Sequence, residues 1–286
     1  MRSSARFLLA GGLLLALRSP PEVAARPLDQ VVADGTLRVA VYGDNAPFSD
    51  TVNGKAHGID SDLAQAIADV LKVKLDLRVV DAGENVDGDL RLNLWRGDLA
   101  GTPLADLMLH VPTDRQLALR NEQVFFTAPY FEQEIAFAYR KDALEGFARL
   151  DDIGDRSVAL EGTGAADLML LTAQGGRFRQ NLKHYRSFEE AAKAYLAGEA
   201  PILAGTRAAI EAALFAAKAP QDDNPIATFP STGLVKTRWE IGGAVRTDSR
   251  DLAYAVGDAL TALNADGRLK MICAPYGVSY TPPKGY

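Results

Sequence analysis

Apolar and polar positions alternate along the chain in two recurring rhythms. Residues 37–42 (LRVAVY) make a short β-rich run, closed by Gly43, Asp44 and Asn45. Residues 59–72 then place Leu63, Ile67, Val70 and Leu71 on one helical stripe, with Asp60 or Ser61 as the expected cap. Leu75, Leu77 and Val79 alternate as a strand does, and residues 104–111 and 135–139 are further strand candidates. After Lys141 the rhythm restarts. Residues 157–160 read as a strand, and the turn at Gly162, Thr163 and Gly164 opens a helix to Gln174. Phe188, Ala191, Ala192, Tyr195 and Leu196 share a helical face. A strand at 202–204 and a helix from Arg207 follow. Residues 241–245 are extended, and Leu252, Val256, Leu260 and Leu263 line a last long helix. Strands and helices alternating in this way predict an α/β fold with doubly wound sheets, and two such units predict two lobes.

The N-terminus follows a different pattern. Arg2 and Arg6 precede the 11-residue apolar run FLLAGGLLLAL, and Val23, Ala24 and Ala25 supply the small residues of a cleavage site. The run is about half the ~20 residues a membrane-spanning helix needs. Residues 1–25 are therefore expected to be a secretory signal, with the remainder in the periplasm and no membrane anchor. Removing them moves the formal charge from −6 to −8, with 28 bases against 36 acids. That balance disfavours nucleic acid, which needs a basic face. Cys273 is the single cysteine, so no intramolecular disulfide forms, and its apolar neighbours predict a buried thiol.

Candidate chemistry is sparse. His57, His110 and His184 are widely spaced and lack metal-ligand partners at helical spacing, so neither a metal nor another cofactor is expected. Gly162-x-Gly164 lacks the rest of a nucleotide-binding signature and reads first as a plain tight turn, although the donors at the following helix start could hold an anion. Asp81, Glu84, Asp87 and Asp89 do not follow calcium-loop spacing and read as a solvated turn. Neither a Gly-x-Ser-x-Gly elbow nor a paired acid and base stands out, so no catalytic residue is assigned.

Several segments, taken in order, resemble family 3 extracellular solute-binding proteins: LRVAVYGDNAPF, NGKAHGIDSDLAQAIADVLKVKL, FTAPYF, SVALEGTGAADLML and the run from Val245 to Gly277. The resemblance covers about residues 36–280. It implies the two-lobed type II periplasmic-binding-protein fold, with one lobe from 26–132 plus 241–286 and the other from 133–240. The crossovers near 130–134 and 240–244 would join them, and the ligand would sit between the lobes.

Family members that bind amino acids share an aromatic ring that stacks on the ligand, a Ser/Thr-rich loop, an arginine for the carboxylate and an acid for the ammonium. By that resemblance the stacking position is Asn45, the loop is His110, Val111, Pro112 and Thr113, the arginine is Arg120 and the acid position is Thr206. Arg120 is expected to face the cleft or brace its wall. A zwitterionic amino acid is the less expected ligand, because an ammonium buried without its acid is uncompensated.

Residues 106–140 resemble more narrowly the J proteins of bacterial methanol-oxidation systems (MoxJ/XoxJ type). This likeness implies an accessory protein that helps activate or assemble a periplasmic quinoprotein methanol dehydrogenase. The alternative is the binding component of an ABC importer for a small polar solute, and an enzyme on the same scaffold is a third reading. Phe48, Phe125, Phe126, Tyr130 and Phe131 crowd the expected cleft mouth. Phe126 and Phe131 are expected to be buried on opposite faces of a strand, with Phe48 and Tyr130 exposed for a partner.

Overall fold

The computed structural model describes residues 25–231 and 235–284. The expected signal falls almost wholly outside the described residues. In chain order, α1 (Leu28–Asp34) and β1 (Thr36–Tyr42) lead into a small antiparallel meander of β2 (Asp44–Asn45), β3 (Ser49–Val52) and β4 (Lys55–His57). There follow α2 (Ile59–Leu71), β5 (Lys74–Val80), α3 (Val86–Leu90), β6 (Leu107–Pro112), α4 (Arg115–Arg120) and β7 (Val124–Phe126). β8 (Phe131–Tyr139) passes into β9 (Val158–Glu161), α5 (Ala165–Thr172), β10 (Leu182–Tyr185), α6 (Phe188–Leu196), β11 (Ile202–Thr206), α7 (Arg207–Ala216) and β12 (Ile226–Ala227). β13 (Arg238–Arg246) returns to the first half, where α8 (Arg250–Ala265) and α9 (Arg268–Cys273) complete it.

The long sheet runs β10-β9-β11-β8-β13-β6-β1-β5. At one end β1 pairs in parallel with β5 and β6, and at the other β9 pairs in parallel with β10 and β11. Between these parallel halves, β8 and β13 pair antiparallel, with Arg238 opposite Glu134 and Ile241 opposite Phe131. Side-chain alternation separates the cores. Val39 and Val41 face α2 and α8, while Ala40 and Tyr42 face Leu90 and Leu94 on the other side. Ile135 and Phe137 likewise pack with Leu170, whereas Ala136 and Ala138 pack with Tyr195 and Ile210. Burying both faces is what parallel strands rich in branched residues require.

Three local expectations change. The cap of α2 is Gly58, and Asp60 is fully buried with its carboxylate turned to other partners. The acidic run is not a plain solvated turn, since Asp89 is buried, accepting from Tyr42 Oη at 2.9 Å and Gly83 N at 2.8 Å. Phe126 and Phe131 belong to different strands, and Phe126 is only half-buried against Leu117 and Val124.

Before β1 the chain is tied down at Arg26. Its guanidinium meets the buried Asp106 carboxylate from Nε at 3.1 Å and Nη2 at 2.6 Å, and its backbone N–H donates to the same carboxylate at 3.1 Å. Arg38 N adds a further donor at 2.8 Å.

Candidate functional site

The C-terminal ends of parallel strands are where α/β folds place ligands. Here β1 and β6 end beside Asp44 and Thr113, and β9 and β11 end at Glu161 and Thr206. One ion pair links the two halves near the end of β6, and one carboxyl at the end of β9 is perturbed. Lys236 Nζ, on the approach to β13, pairs with Asp114 Oδ2 at 2.7 Å. The Glu161 carboxyl is raised above its ordinary range, first by partial burial and then by the charge of Asp44. Asp44 and Glu161 thus both lie at the C-terminal strand ends, and the charge of Asp44 acts on Glu161 only as the smaller of the two causes.

A buried cluster stands beside these strand ends. Asp60 Oδ1 accepts from Tyr130 Oη at 2.6 Å, and Asp60 Oδ2 lies 2.9 Å from His110 Nδ1. The backbone N–H of His110 donates to Tyr130 Oη at 3.1 Å, and the His110 ring lies against Phe48 with centroids 4.5 Å apart. Burial, followed by the charge of Asp60, lifts the Tyr130 phenol well above its ordinary range and keeps it a donor. Phe48 and Tyr130 are therefore not exposed at a cleft mouth. Both are buried, at 1% and 2%, because the Phe48 ring fills the core beside Phe131 and Tyr130 is needed by Asp60.

The remaining expected site residues scatter in role. Asn45 stands at the cleft, and among the described residues no acceptor meets its buried Nδ2. Thr113 ties β6 to β13, with N and Oγ1 both donating to Glu240 O, at 2.9 and 3.3 Å. Arg120 differs from expectation. Its exposed side chain lies at the far end of α4 and pairs at 3.5 Å with Asp87, in its own half of the molecule. Arg115, at the N-terminal end of the same helix, is exposed beside Asp114 and was not singled out from sequence. Thr206 caps α7, accepting from Ala209 N at 3.4 Å.

The Gly162–Gly164 turn is tied locally, as a plain tight turn is, and not arranged to hold an anion. Gly162 N donates to Tyr185 O at 3.0 Å, and Thr163 N donates to Asp167 Oδ2 at 2.9 Å. Two of its donors are thus consumed locally. Asp167, buried and bonded to His184 Nε2 at 2.9 Å, adds negative charge there. Glu161 precedes the turn, so carboxyl groups flank it on both sides.

A ladder of ion pairs joins the two passing strands on the other side of Tyr130. Arg238 reaches Glu132 at 3.2 Å and Glu134 at 2.5 Å. Arg207 reaches Glu134 at 2.8 Å and Glu211 at 2.9 Å. All three carboxylates are buried. Among the described residues no cluster of potential metal ligands occurs, and no helix is long and apolar enough to cross a membrane.

No protein-family model matches the sequence. Two curated proteins are similar, both membrane-bound lytic murein transglycosylase F. That of Ectopseudomonas mendocina is 28% identical over 167 residues, and that of Pseudomonas syringae pv. syringae is 31% identical over 173 residues. The aligned segments cover 58% and 59% of this chain but only 32% of each relative, so the chain spans about a third of their length. Among solved structures, a polar amino acid ABC uptake transporter substrate-binding protein from Streptococcus thermophilus superposes with a TM-score of 0.70 at 14% identity. It covers 92% of this chain and 94% of its own. An ancestral cationic amino acid solute-binding protein gives 0.69 at 22% identity, covering 87% and 98%. A second structure of an ancestral amino-acid-binding protein, described as a precursor of cyclohexadienyl dehydratase, gives 0.60 at 22% identity, covering 87% and 98%. The fold is the two-lobed type II periplasmic-binding-protein fold.

Proposed function

We propose that the chain is an exported solute-binding protein whose cleft takes a small polar solute bearing a positive charge. One lobe comprises residues 26–132 plus 241–286, the other 133–240. The observation that carries this reading is the placement of carboxyl groups at the C-terminal strand ends of both halves, Asp44 after β1 and Glu161 at the end of β9. Like charges brought together raise the free energy of the empty protein, and a bound ammonium or guanidinium relieves it. The acid has in effect moved from the end of β11, where Thr206 caps a helix, to the end of β9. The relatives' printed names, amino-acid binding proteins above all, agree with a small polar ligand.

A role as accessory to a periplasmic methanol dehydrogenase rests on the resemblance of residues 106–140 alone. The aromatic residues expected to meet such a partner, Phe48 and Tyr130, lie in the core.

Melting curves with a panel of amines (putrescine, cadaverine, agmatine), the twenty amino acids and neutral sugars test the reading. A cationic solute at 100 times its Kd adds about 2.7 kcal/mol. The expected result is a shift with amines that Glu161→Gln and Asp44→Asn each abolish. Stabilisation by neutral or anionic solutes alone, unchanged in both variants, would overturn it.

A further inference from the structure

Beyond the short turn that follows α9, residues 278–283 have no regular structure, yet the course of the chain there is fixed at several points. Gly277 takes a left-handed φ of 72° and lies so close to α7 that a Cβ would overlap Phe215. Ser279 N donates to Glu211 Oε2 on α7 at 2.7 Å. Glu132 N on β8 donates to Thr281 O at 2.9 Å. Lys284 N donates to Glu240 Oε1 on β13 at 2.9 Å, and its Nζ lies 3.7 Å from Glu132. Pro282 and Pro283 separate these last two points, and their fixed φ stiffens the chain between them.

The bond to Glu211 matters most. That carboxylate is buried, and Arg207 Nε takes its other oxygen at 2.9 Å. A hydrogen bond to a buried ionised group is strong and costly to leave unmade. α7 belongs to one proposed lobe and Ser279 to the other, so this bond joins them apart from the two strands that carry the chain across. The same segment also grips both of those strands, β8 at Glu132 and β13 at Glu240. A cavity of about 220 Å³ lies in the junction, with Leu214, Phe215 and Ile226 on one side and Gly277 and Ser279 on the other. The junction is therefore held by point ties around a void rather than by a close-packed core, and dispersion contacts are lost across the void.

We propose that residues 277–284 act as a strap that sets the angle between the lobes. β8 and β13 allow the lobes to bend, and the strap's hold on α7 confines them to one inclination. Releasing it leaves the lobes connected but lets them sample a wider range of angles. The inference rests on the division into lobes given above and is independent of the solute.

Pulsed electron–electron distance measurements on the empty full-length mature chain test it. Nitroxides are placed by Gln65→Cys and Lys193→Cys, exposed positions on α2 and α6, one in each proposed lobe. Buried Cys273, whose thiol burial pushes up to about 12, stays unlabelled. Ser279→Pro removes the donor and Glu211→Ala the acceptor of the same bond. The otherwise unaltered protein should give one narrow distance distribution, and each variant should broaden it by about twofold. An unchanged distribution in the folded variants, even with a lowered melting temperature, would overturn the proposal. Should neither variant fold, amide hydrogen exchange of the wild type decides. The Ser279 N–H should exchange about a hundredfold more slowly than an exposed amide, and exchange at the exposed rate would overturn the strap. Failure of the amine panel would count against the cationic solute and leave these distances and exchange rates as they are.

Discussion

Tyr130 shows how one hydroxyl can govern a side chain's placement. An aromatic ring ahead of a crossover strand is equally suited to a docking surface or a core. Its O–H is required by the carboxylate of Asp60, which has two side-chain partners among the described residues. Tyr130→Phe keeps the packing and deletes that donor. A lost bond to a buried charge costs about 1.5–3 kcal/mol, so the urea midpoint should fall with an unchanged slope. The sequence displayed Asp60 within Gly-x-Asp-x-Asp, but as a helix cap, because Asp near a helix start usually caps. Its partners lie 50 and 70 residues away, a distance no local pattern spans. Glu161 was equally hidden, since its raised carboxyl arises first from burial and then from the charge of Asp44, far away in sequence. Arg115 lies in the same short helix as Arg120, the arginine that the family resemblance points to.

Among the elements, those with long periodic stretches were legible. α2 and α8 and strand β1 fall close to where their apolar spacing put them. The meander β2–β4 and strand β7 went unseen because they are two to four residues long and mostly polar or half-buried. β13 was recognised only over its apolar part. The polar start, Arg238 to Glu240, is extended because it pairs with β8. Close approach in this strand has an energetic consequence at Gly243. A Cβ there would stand 2.8 Å from Leu107 Cδ1 and 3.1 Å from Met108 O, while its N–H donates to Thr127 Oγ1 at 2.8 Å. Gly243→Ala should therefore destabilise by about 1–3 kcal/mol, as overpacked cores do. A thermal melt of the variant measures it.

For the whole molecule, the two-lobed plan was legible because the strand–helix rhythm stops and restarts. The character of the cleft was not, because it is a property of both halves together. That character predicts a pH dependence. The folded-state carboxyl of Glu161 is raised, so its contribution favours the fold below the unfolded value and is lost as pH rises through the folded value. Wild type and Glu161→Gln should melt alike near pH 4, and the variant should become the more stable as pH approaches 7. Paired melts across that range check the sign. Asp114 runs the other way. Its carboxyl is lowered, first by the hydrogen bond from Lys236, so its contribution is present at neutral pH and fades as acid protonates it.

Asp106 offers a means of sensing maturation. It already gathers the Arg26 guanidinium, the Arg26 N–H and the Arg38 N–H. Cleavage after Ala25 would turn the Arg26 N–H, 3.1 Å from that carboxylate, into a full ammonium. The newborn terminus would then act as a bolt that an unprocessed chain cannot shoot home. Protein beginning at Arg26 should melt above protein beginning at Ala24, by an increment of about 1 kcal/mol that Asp106→Asn removes. Export and folding would thereby share a single carboxylate, and the precursor would remain the looser, more easily threaded form.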